Sequence, residues 1–305
     1  MTSSRFPVVF LASASLTLVA ALSAQTPAAA PTPAAPAARP PAAPQLAVPA
    51  ASPVGTLKQR VGLTDIEIVY ARPGAKGRVM IGKNEPYGKV WRTGANNATT
   101  MTFSTAVKLG GKDVPAGKYA LFTIPNENEW TIIINKGAQQ WGAFSYDETA
   151  DVARFNVKPV KLTEHVETLE IGINDIRDAS ATINISWEKV RVPIKLELDI
   201  VGPTVAKIDE LMAGEGRKPY SQAASFYLEN GLDLNKALAW AEAAVAAGAN
   251  QTNVHLKARI LAKLGRKVEA IAAANQSTEL AAKSTNSGIR LEYTKMNENL
   301  INSLK

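Results

Sequence analysis

Val192–Ile200 reads VPIKLELDI, and its alternation decides the fold class of the stretch that it closes. Ile194, Leu196 and Leu198 fall on one side, and Lys195, Glu197 and Asp199 on the other. A period of two is the mark of a strand with one buried and one wet face. The same pattern recurs upstream. Ile66, Ile68 and Tyr70 alternate with Asp65, Glu67 and Val69, and Met101 and Phe103 with Thr100 and Thr102. Leu169, Ile171 and Ile173, then Ile183, Ile185 and Trp187, repeat it. Tyr119–Ile124 (YALFTI) and Trp130–Ile134 (WTIII) are short apolar runs rich in β-formers. Gly110-Gly111, Pro115-Ala116-Gly117 and Pro125–Asn128 supply the turns between them. Many short strands at regular spacing predict an antiparallel β-sandwich or barrel-like domain over 54–200.

Past Gly202 the period becomes helical, which makes the class α+β in separate domains. Helices are expected over Ser221–Glu229, Leu234–Ala247, Asn253–Leu264 and Lys267–Ala282, separated by Asn230-Gly231, Gly248–Asn250 and Gly265. Ala237 and Ala244 in one phrase return as Ala270 and Ser277 in the next, so 201–305 reads as a small all-α domain of repeated helical hairpins. These hairpins resemble tetratricopeptide repeats, without that family's full aromatic and proline pattern. A protein partner or self-association through 217–305 is the role they imply.

The N-terminus reads as an address. Arg5 precedes the apolar run Phe6–Leu22, which is followed by Ser23 and Ala24, the order of a cleavable secretory signal over 1–24. Residues 25–53 hold nine of the chain's 18 prolines, mixed with alanine, and read as an extended tether. The expectation is a secreted or periplasmic protein without a lipobox cysteine and with no transmembrane segment after signal cleavage.

Composition excludes several chemistries. The 305 residues include no cysteine and only His165 and His255, so thiolate catalysis is excluded and no metal or other cofactor is expected. The net charge of +7 is unevenly spread. Arg72–Lys118 carries an excess of cations and Glu127–Asp178 an excess of carboxylates. The two halves either present a basic binding face or pair with each other. No nucleic-acid motif accompanies the basic half, so nucleic acid is not an expected partner.

Tyr87–Thr100 (YGKVWRTGANNATT) mixes an aromatic, a cation, glycines, amides and hydroxyls that core-building does not require. Arg92 offers a planar fork for a carboxylate, phosphate or sugar diol, or else pairs with Asp147 or Glu148. Trp141 sits in a polar loop and could stack on a ring, whereas Trp91, Trp130 and Trp187 read as core. Candidate ligand-binding residues are Arg72, Arg78, Tyr87, Arg92, Asn96, Thr99, Trp141 and Tyr146. Asp147, Glu148 and Asp151 lack the glycine-turned loop of a calcium site. His165 and Glu167 share one side of a strand that otherwise looks solvated.

ARPGAKGR (Ala71–Arg78), PYGKVWRTGANNATT (Pro86–Thr100), VPAGKYALFTIP (Val114–Pro125), EWTIIINK (Glu129–Lys136), QWGAFSYD (Gln140–Asp147) and WEKVRVP (Trp187–Pro193) occur in that order. Together they strongly resemble the exported bacterial family DUF2911, over roughly 54–200. The resemblance implies an envelope location and a β-domain but no activity. A charged residue is expected after Asn96 in many relatives, and Asn97 departs from that. The leading functional expectation is a tethered binding module for an anionic or carbohydrate-like small molecule at Arg72–Thr100. A carboxylate-based, glycosidase-like hydrolase and an assembly protein docking through its helices are the alternatives.

Overall fold

The computed structural model describes residues 48–305; the expected signal and most of the Pro/Ala-rich tether lie outside the described residues. The strands, in chain order, are β1 (Val54–Val61), β2 (Thr64–Ala71), β3 (Thr99–Phe103), β4 (Val107–Leu109), β5 (Lys112–Val114), β6 (Gly117–Ile124), β7 (Trp130–Asn135), β8 (Asp151–Val157), β9 (Val160–Arg177) and β10 (Ser180–Glu197). They form two antiparallel sheets. One has the order β1-β2-β3-β6-β7-β8 and the other β5-β4-β10-β9. The chain leaves the first sheet after β3, makes the small β4–β5 hairpin in the second, and returns as β6 beside β3.

A single core cluster draws residues from both sheets, among them Ile68, Met101, Leu121 and Ile132 from the first and Leu169, Ile183 and Ile194 from the second. Ile68, Met101, Leu169, Ile183 and Ile194 come from the apolar phase of alternating strands, which is why periodicity located them, whereas Leu121 and Ile132 come from the continuous apolar runs. In β10, Val192, Ile194 and Leu196 are buried while Arg191 and Lys195 are exposed. Pro193 lacks an N–H but breaks no ladder. The pairing of β10 with β9 ends at Arg191, and that with β4 involves Leu196 and Glu197.

Two expectations need correction. The second sheet is not built of short strands, because β9 and β10 form one hairpin with 18 residues in each strand. Register shifts at Ser186, Glu188 and Val190 let so long a ribbon bend over the core. The last strand stops at Glu197, and Asp199 does not continue its wet face. Its Oδ1 accepts from the N–H groups of Val201 and Gly202, 3.1 Å each, at the start of the first helix. The apolar runs of β6 and β7 have no wet face, in keeping with their sequences. Leu121, Ile132 and Ile134 face the second sheet, while Ala120, Phe122 and Ile133 form a separate cluster on the opposite side under Ala98, Val90 and Tyr146. Burial on both faces makes their sequences continuous apolar runs.

The helices are α1 (Val201–Ala213), α2 (Tyr220–Glu229), α3 (Leu234–Ala247), α4 (Gln251–Lys263), α5 (Lys267–Ala282) and α6 (Ser287–Leu304). The middle four match the expected segments closely, and α1 and α6 lie outside the segments whose periodicity marks a helix. Asp233 and Asn250 start α3 and α4 by accepting from the first free N–H groups, the Asn250 cap being reciprocated by Asn253. Ala237, Ala244, Ala270 and Ser277 are all buried, so the repeated small residues lie where helices pack. No helix among the described residues is long and apolar enough to cross a membrane.

Candidate functional site

The connection from Arg72 to Ala98 is long for a compact domain, and loops of that length are usually functional. It is pinned at several points. Trp91 pairs with Thr123 of β6 through both backbone hydrogen bonds (2.7 and 2.9 Å) and takes the place that β3 vacates. Its ring therefore points between the sheets, stacked on Trp187 of β10 at 5.8 Å and edge-on to Trp130 at 6.2 Å. The Glu188 carboxylate, on the bulge of β10 with φ +52°, accepts from the N–H of Met80 and of Ile81. Glu167 Oε1 accepts from Lys76 N–H at 2.7 Å, which holds that carboxyl below the usual range, with His165 at 3.3 Å adding to the effect.

The tightest part is Thr93–Asn97. Thr93 (φ +54°) and Asn96 (φ +60°) both adopt the left-handed region, uncommon for asparagine and an outlier for a β-branched residue. Thr93 is sealed in by the Thr123 hydroxyl at 3.1 Å, and its carbonyl accepts from Thr99 Oγ1 at 2.7 Å. A Cβ on Gly94 would stand 3.0 Å from Thr99 Oγ1 and 3.1 Å from the Ala71 carbonyl. Strain of this kind persists only where the surroundings over-determine it, and it clusters at ligand sites.

This loop is stitched to a second one. Gly142 N–H donates to Asn96 O (2.9 Å) and Ala98 N–H donates to Gln140 O (3.1 Å), with Asn97 opposite Trp141. Between the stitched loops and the outer face of the first sheet lies a pocket of 480 Å³. Val54, Val69 and Thr100 line it on the sheet, with Lys118 at its edge. Asn96, Asn97, Gln139, Gln140 and Trp141 line it from the loops. Trp141 is 61% exposed. Gln140 donates to Gly137 O at 2.8 Å but leaves its buried Oε1 without a partner among the described residues. The pocket thus combines one open aromatic face, several amides, a hydroxyl and one cation, with no carboxylate among its described lining residues.

Of the expected site residues, Asn96 and Trp141 meet in this pocket. Arg92 lies beyond Gly142, its Nη1 3.6 Å from where a Cβ there would stand. Its charge partly offsets the burial that pushes the Glu85 carboxyl up, while its own buried Nε has no partner among the described residues. Its expected pairing with Asp147 or Glu148 is not found. Arg154 takes Glu148 (3.2 Å) and Asp151 (3.1 Å), and Asp147 caps Thr149. Thr99 is fully buried and braces the loop from beneath. Tyr146 donates to Asp151 at 2.8 Å, and burial followed by that bond pushes its hydroxyl up to about 12.

The remaining cations do not converge. Arg78 is tied to the Ala75 and Gly74 carbonyls of its own loop. Arg72 reaches Leu169 O at 3.2 Å with its guanidinium over the Tyr70 ring, and Tyr87 packs over Gly82. Among the described residues no ion pair joins the basic half to the acidic half. Lys118, Gln139 and Gln140 line the pocket without being among the expected residues. Gln139-Gln140 beside Trp141 was a legible polar cue, whereas Lys118 is brought in only by the pairing of β3 with β6.

Residues 52–196 match the family model of DUF2911. That family is described as a protein of unknown function, and the DUF2911-like stretch takes in both sheets and both pocket loops. No curated protein and no solved structure matches the chain.

Proposed function

We propose that the DUF2911-like part is a binding module for a carbohydrate-like small molecule, held in the Trp141 pocket. Trp141 carries the reading. It is a large aromatic left 61% exposed beside a ring of amides, and a pyranose offers both an apolar face to stack on and hydroxyls for amides to bond. A volume of 480 Å³ lies within the range of small-ligand sites. Among the described residues Lys118 is the one cation that lines it, so the ligand is neutral or singly charged rather than a polyanion. Asn96, Asn97, Gln139 and Gln140 supply donors and acceptors in pairs, and Thr100 supplies a hydroxyl. The hydrolase reading finds no support in this pocket, since two facing carboxylates would be needed there.

The apolar run at Phe6–Leu22 and the proline-rich stretch behind it support export and tethering, with the module acting outside the cytoplasm. The helices are read as tetratricopeptide-type hairpins on the strength of their buried small-residue repeat.

The test is calorimetric titration of the protein with soluble oligosaccharides of glucose, N-acetylglucosamine and galactose. Binding by one class that falls at least tenfold in Trp141→Ala, and again in Asn97→Ala, is the expected result. Binding that is indifferent to Trp141→Ala, or no binding to any of the three, overturns it.

A further inference from the structure

A second and larger cleft, of 770 Å³, lies where the β1–β2 turn (Gly62, Leu63) and the β9–β10 turn (Asp178) meet helices α2, α4 and α6. Leu63, Ile200, Phe226, Leu256 and Met296 give it an apolar lining. At its rim Arg259 and Glu229 already neutralise each other at 2.6 Å. One polar group in its wall is only half used. His255 of α4 is 7% exposed, and its Nδ1 lies 2.6 Å from Asn297 Oδ1. Asn297 is itself fully buried and donates its amide to Thr278 Oγ1 at 3.1 Å. Its Oδ1 must therefore be the acceptor, so the proton sits on His255 Nδ1 and a lone pair is left at Nε2.

That Nε2 has no hydrogen-bond partner among the described residues, and His255 is one of the residues that line the cleft. Tyr293 stands edge-on to the ring at 5.9 Å with its hydroxyl 2.8 Å from Thr252 Oγ1, so the imidazole is held on a second side. Burial lowers the proton affinity of the ring, which keeps it neutral. A buried imidazole with its tautomer fixed by Asn297, an unbonded lone pair and a place in the wall of a cavity is a candidate acceptor.

We propose that this cleft binds a neutral, largely apolar small molecule that donates one hydrogen bond, from an N–H or O–H, to His255 Nε2. The volume is within the small-ligand range, and the surface the cleft exposes is mostly apolar although polar side chains such as Ser225, Asn230 and Thr252 also line it. Arg259 and Glu229 pair with each other, and the Asp178 carboxylate, in no ion pair among the described residues, disfavours an anion.

The experiment is fluorescence titration of the full-length protein with N-phenyl-1-naphthylamine, which is neutral, apolar and carries one N–H. Its ether counterpart 1-phenoxynaphthalene, the same shape without the donor, serves as competitor. Saturable one-to-one binding is expected, with the ether about tenfold weaker for want of one hydrogen bond. Ser225→Trp, which fills the cleft from the half-buried face of α2, should abolish it while leaving the melting temperature unchanged. Three outcomes overturn the proposal: no saturable binding, equal affinity for the two probes, or binding that survives in a folded Ser225→Trp protein. It is also overturned if the wild type is a dimer that Ser225→Trp dissociates, since the cleft is then a contact between copies. If Ser225→Trp does not fold, the comparison of the two probes on the unaltered protein decides alone.

Discussion

Trp91 and Trp187 stack at 5.8 Å with their ring planes 14° apart, joining the loop that builds the Trp141 pocket to the far sheet. Trp187 fixes its ring with a hydrogen bond from Nε1 to Glu167 O, and Trp91 fixes its own with one to Gly94 O. The pocket loop is thus an extension of the core. Trp91→Ala should cost about 3–5 kcal/mol through the cavity it leaves. Chemical denaturation of the variant measures that loss, and a change of under 1 kcal/mol would show that the stack is not part of the core.

Glu188 holds Met80 and Ile81 by accepting from both backbone N–H groups, and it does so from a left-handed bulge. Glu188→Ala leaves two donors unmet beside buried side chains and should cost roughly 2 kcal/mol or more. Hydrogen exchange at Met80 and Ile81 should accelerate well before that of β6 or β7. Equal acceleration everywhere would mean global destabilisation instead of a released loop.

Gly94 has no room for a methyl group between Thr99 Oγ1 and the Ala71 carbonyl. Gly94→Ala should destabilise by about 1–3 kcal/mol, as overpacking does. Trp141→Ala, at an exposed position of the same site, should stay within about 0.5 kcal/mol of wild type. Thermal melts of the two variants side by side separate framework from binding surface.

Tyr146 is held protonated to about 12 by burial and by its bond to Asp151. Its folded-state value exceeds its unfolded one, so the stabilisation is complete below pH 10 and is lost as the pH rises toward 12. Ultraviolet titration should show one tyrosine ionising last, and Tyr146→Phe should remove that step.

His255 has the opposite sign. Burial lowers its folded-state value below that of the unfolded chain, so stability is full above about pH 6.5 and declines as the pH falls below it. Urea unfolding at pH 7.5 and 5.0 should give a smaller difference for His255→Gln than for wild type. An unchanged difference would place the acid sensitivity elsewhere.

The sequence by itself determined the two kinds of element and most of their limits, because periods of two and of 3.6 are set by local backbone geometry. VPIKLELDI declared its buried face in advance, and α2 to α5 fell within a few residues of the periodic segments. Trp91, Trp130 and Trp187 were legible as core. Only the tertiary structure decided what the loops do. Trp141 meets Asn96 because two connections far apart in sequence exchange backbone hydrogen bonds, and Lys118 joins them because β3 pairs with β6. The same closure covers Phe122 and Ile133, and it turns Thr99 inward while Asn96 stays exposed two peptide planes beyond Gly94. Adjacent residues of one promising stretch, YGKVWRTGANNATT, therefore divide among core, brace and pocket. Side-chain direction in an irregular loop follows from what packs against it, and no local period encodes that.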